Sequence, residues 1–71
     1  MNTHAALLTI AKNELAVRLT SQEEALALYS DVREKLSGEG FLSLNIMDIV
    51  IEAAEAYIKA MQDTIALISE A

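Results

Sequence analysis

A chain of 71 residues without cysteine has no disulfide or thiolate-bound metal to hold it, and at this length it buries only about 60% of its unfolded surface. Its formal net charge of −6 repels nucleic-acid phosphates and anionic lipid, which argues against direct nucleic-acid binding and against attachment to a membrane surface. Hydrophobic residues at 54%, no proline and two glycines point to packed helices rather than disorder.

No apolar run approaches the roughly 18 residues a membrane span needs. The first residues lack the basic region of a secretory signal, and Lys12 and Glu14 interrupt the apolar stretch that follows, so the expected location is cytoplasmic.

The first predicted helix covers about 3–19, with Leu7, Leu8, Ala11, Leu15 and Leu19 at helical spacing and Asn2 or Thr3 as cap. Glu14 precedes Arg18 by four residues, the orientation that supports an exposed helix face. A break is expected at Thr20-Ser21, because Ser21 and Glu24 match the capping box, in which side chain and backbone satisfy each other's unpaired donors at a helix start. The second helix then runs over about 21–37, with Ala25, Leu28, Tyr29, Val32 and Leu36 on its core face and Asp31 set to pair with Lys35. Gly38 and Gly40 end it, one of them in the left-handed conformation that commonly closes helices. Phe41 and Leu42 read as loop residues plugging the end of the core. The third helix, about 45–70, would be capped by Asn45, with Asp48 near its positive end and Leu44 stapled onto Ile49.

That last helix has the strongest pattern. Met47, Ile51, Ala54, Ile58, Met61, Ile65 and Ile68 alternate steps of four and three, a heptad seam. Further apolar residues flank it, and a helix apolar over most of its circumference needs cover on more than one side. The expected fold is therefore all-α: three helices, a short antiparallel hairpin plus a long C-terminal helix, in a dimeric bundle whose interface is this seam.

Asp48, Glu52 and Glu55 share one helical face and could meet a basic surface on a partner. No catalytic, cofactor or metal site is expected. His4 stands without a second imidazole or a thiol, and Gly38-Glu39-Gly40 lacks the later residues of a phosphate loop. Met47 and Met61 read as adaptable core, and Tyr29 and Tyr57 as aromatics at its edge. The stretch Leu42-Ser43-Leu44-Asn45-Ile46-Met47-Asp48-Ile49-Val50 resembles the Asp-Ser-Leu segment of acyl carrier proteins, which implies a phosphopantetheine arm on Ser43. Leu42 stands where that family has Asp, and the expectation is that Ser43 stays unmodified.

The functional expectation is a small acidic, non-enzymatic protein-protein interaction module. It would form a homodimer and bind, modulate or inhibit a macromolecular partner, as phage- or mobile-element-encoded regulators do. The alternatives are a nucleic-acid mimic filling the basic cleft of a nuclease or repressor, and a structural assembly subunit. Strong salt sensitivity of partner binding would favour mimicry.

Overall fold

The computed structural model describes residues 3–38 and 40–70 and contains two helices, not three. Helix α1 spans Thr3–Lys35 and α2 spans Phe41–Glu70. They fold back on each other as an antiparallel hairpin whose Cα atoms extend over 58 × 14 × 12 Å. The expected cap at Asn2 lies outside the described residues.

The break expected at Thr20-Ser21 does not occur. The hydroxyl of Thr20 donates to the carbonyl of Ala16 at 3.2 Å, within the helix, as Thr9 does to Ala5 at 2.9 Å. Nothing near residue 20 is a Gly or Pro. A capping box is worth on the order of 1 kcal/mol, less than the backbone bonds and the register against α2 that a break would give up. That register is visible in the burial pattern. Leu8, Lys12, Leu15, Leu19, Gln22, Leu26, Tyr29, Arg33 and Leu36 are all half-buried, and their four-and-three spacing passes through residues 20–21 in phase. Leu7 and Leu28, expected in the core, instead lie 61% and 59% exposed.

The end of α1 tightens. Leu36 N–H is shared between the carbonyls of Val32 and Arg33, at 3.0 and 3.2 Å, and Ser37 N–H reaches Glu34 at 3.1 Å. Such three-residue bonds satisfy the last carbonyls without a left-handed residue. Neither Gly38 nor Gly40 has a positive φ, so the expected glycine closure is not used.

Helix α2 begins earlier than the pattern suggested. Ser43 N–H bonds to the carbonyl of Gly40 at 3.1 Å, and Gly is an accepted N-cap residue. Asn45 and Asp48 are therefore interior helical positions. Leu42 is exposed in the first turn rather than plugging the core, and Ile49 is exposed rather than stapled to Leu44.

Among the described residues only Ala54 and Met61 are buried, at 6% and 3% exposure. Two helices touch along one line, so most seam side chains keep one side open to water.

Candidate interaction surfaces

The seven seam residues of α2 come together as expected on one face. Ala54 and Met61 are buried, and Met47, Ile51, Ile58, Ile65 and Ile68 are half-buried. What covers them in this structure is α1 of the same chain. The half-buried stripe of α1 lies against the seam. Three members of that stripe, Lys12, Gln22 and Arg33, are polar. Long stems of this kind cover apolar surface without burying the polar head.

Of the three carboxylates expected to face a partner, Asp48 is engaged within the chain. Arg33 Nε donates to Asp48 Oδ1, and Arg33 Nη2 lies 3.5 Å from Asp48 Oδ2, bridging α1 to α2 near the turn. This hydrogen bond, with the attraction between the charges, raises the Arg33 pKa above its ordinary value. Glu52 and Glu55 remain exposed on the edge of α2 beyond that pair.

The two expected i,i+4 pairs form on α1, Glu14 with Arg18 at 3.1 Å and Asp31 with Lys35 at 2.8 Å. Lys59 pairs likewise with Asp63 at 2.8 Å on α2. Hydrogen bonding to their aspartates, reinforced by charge attraction, raises the pKa of Lys35 and Lys59.

The opposite flank of α2 is apolar and uncovered. Ile46, Ile49, Tyr57 and Leu67 are all about half exposed or more. Between this flank and α1 runs an open groove of about 530 Å³, lined by Gln22 and Tyr29 from α1 and by Ile49, Val50, Ala53, Ala54 and Tyr57 from α2. Both tyrosines expected at the core edge therefore sit on one groove. A second groove, of about 270 Å³, lies at the open end of the hairpin between His4, Leu8 and Lys12 on one side and Ile68 and Ser69 on the other.

Ser43, where the carrier-protein resemblance would put an arm, is half-buried inside the first turn of α2. Among the described residues no group of three His, Cys, Asp or Glu side chains is placed to hold a metal, and no helix is long and apolar enough to cross a membrane. Compared with family models, with curated proteins and with solved structures, the chain matches none of them.

Proposed function

We propose that the chain is a non-enzymatic interaction module that binds a protein partner and modulates it, using the acidic edge of α2. The observation that supports this reading is the exposure of Glu52 and Glu55 one helical turn apart, beside an Asp48 already neutralised by Arg33. Like charges at this spacing repel, and a basic surface on a partner relieves that repulsion. The negative charge lies outside the first 20 residues: residues 21–71 hold ten acidic and three basic side chains, Glu52 and Glu55 among them.

The test is capture of the partner from the native host, followed by kinetics with the purified pair. Reversing Glu52 and Glu55 to Lys should slow association at least tenfold at low salt and leave helicity intact, since both side chains are exposed. An unchanged association rate would remove the acidic edge from the reading. If a nuclease or repressor is captured and a nucleic acid competes for the same cleft, mimicry of nucleic acid replaces modulation at another surface.

A further inference from the structure

The uncovered flank of α2 is itself a heptad stripe. Ile46, Val50, Ala53, Tyr57, Ala60 and Leu67 follow the same four-and-three steps as the seam, with Thr64 completing the run. Each of its positions precedes a seam position by one residue, so at 3.6 residues per turn the two stripes are centred about 100° apart around the helix. A helix at the corner of a four-helix bundle sees its two neighbours at about that angle, close to a right angle. One neighbour, α1, is present in the chain.

We propose that the second neighbour is α2 of another copy, so that two hairpins close into a four-helix bundle through this stripe. The area fits. The hairpin exposes 5270 Å², whereas a globular monomer of 7.7 kDa exposes roughly 4,300 Å². The surplus, on the order of 900 Å², is close to the roughly 800 Å² each partner contributes to a standard interface. The groove lined by Tyr29, Val50, Ala53 and Tyr57 is the notch between α1 and this stripe, and docking fills it. The acidic edge with Glu52 and Glu55 lies on the far side of α2 and stays open.

The stripe fits itself when the two copies of α2 run antiparallel. Taken at every second step its residues read large, small, small, large through Ile46, Ala53, Ala60 and Leu67, with Tyr57 between the two alanines and the midpoint between Ala56 and Tyr57. A two-fold axis at that midpoint sets Ile46 against the partner's Leu67 and Ala53 against the partner's Ala60, with the two Tyr57 side chains meeting beside the axis. The same axis sets Asp63 level with the partner's Val50, not beside another acid. It also puts both α1 helices on one side, which closes the bundle.

The chain has no native cysteine, so cysteine pairing reads the arrangement directly. Light scattering on a sizing column should give the mass of two chains at about 50 μM, above a dissociation constant of order micromolar. Ala56→Cys should crosslink to itself. Leu67→Cys and Ile46→Cys alone should not, but the double variant should. Ala53→Glu with Ala60→Glu should weaken the dimer at least 100-fold and, because both positions are exposed in the hairpin, leave the helical signal at high concentration unchanged. A single-chain mass overturns the proposal, as does a dimer untouched by the two glutamates. Self-crosslinking of Leu67→Cys overturns the antiparallel arrangement.

Discussion

Among the described residues Met61 is the most enclosed, at 3% exposure. In a core this thin there is little to collapse around a deletion. Met61→Ala should cost about 2–5 kcal/mol, the range for removing a buried Met side chain, and that is a large share of what a small domain holds in total. Thermal unfolding followed by circular dichroism should show the loss; a change below about 1 kcal/mol would mean that the seam is not the chain's core. Gly38 tests the turn from the other direction. Its φ is not positive, and a Cβ built there meets nothing within 4 Å, so Gly38→Ala should stabilise the hairpin by about 0.4–1 kcal/mol through the unfolded chain. Destabilisation by that substitution would mean that the turn uses a left-handed conformation in solution.

At the scale of elements, the continuity of α1 separates the two-helix hairpin from a three-helix bundle. If a helix started after Ser21, Gln22 would be its first residue, where proline is tolerated because that N–H has no partner. In a continuous helix Gln22→Pro removes an internal bond and clashes with the preceding turn, at a cost of about 3 kcal/mol or more. The expected result is loss of helicity and of most of the thermal transition, and a variant that melts like the wild type would restore the break. The seam of α2 was legible because every position in it is apolar, from Met47 to Ile68. The matching stripe of α1 was not, because Lys12, Gln22 and Arg33 occupy three of its positions, and a reading by apolar residues alone substituted Leu7 and Leu28. The signal was the phase itself, since steps of four and three from Leu8 to Leu36 carry through the supposed break. A local cap is one bond's worth of information, and packing along some 30 residues outweighed it. The acidic edge was readable at Glu52 and Glu55, whereas the engagement of Asp48 by Arg33 depends on a turn that brings residues 15 apart together.

At the scale of the whole molecule, shape and charge pull association in opposite directions. The hairpin has a radius of gyration of 16.5 Å, where a globular chain of this length has roughly 11 Å. Its long uncovered flank favours pairing with a second copy. Each copy also carries a net charge of −6, so bringing two together concentrates like charge on a narrow rod. Apolar contact through Ile46, Ala53, Ala60 and Leu67 is insensitive to moderate salt, whereas the repulsion is screened once the Debye length falls from about 20–30 Å at low salt to below about 10 Å. Raising salt from about 0.02 M to about 0.5 M should therefore tighten the dimer, roughly three- to tenfold in its dissociation constant. Binding of a basic partner at Glu52 and Glu55 should respond the other way, with association slowing as salt rises. Sedimentation equilibrium on the chain alone, set beside association kinetics with the partner over the same range, gives both slopes. A dimer that weakens with salt would place the contact between copies on charged residues, and a partner association indifferent to salt would take the acidic edge out of recognition.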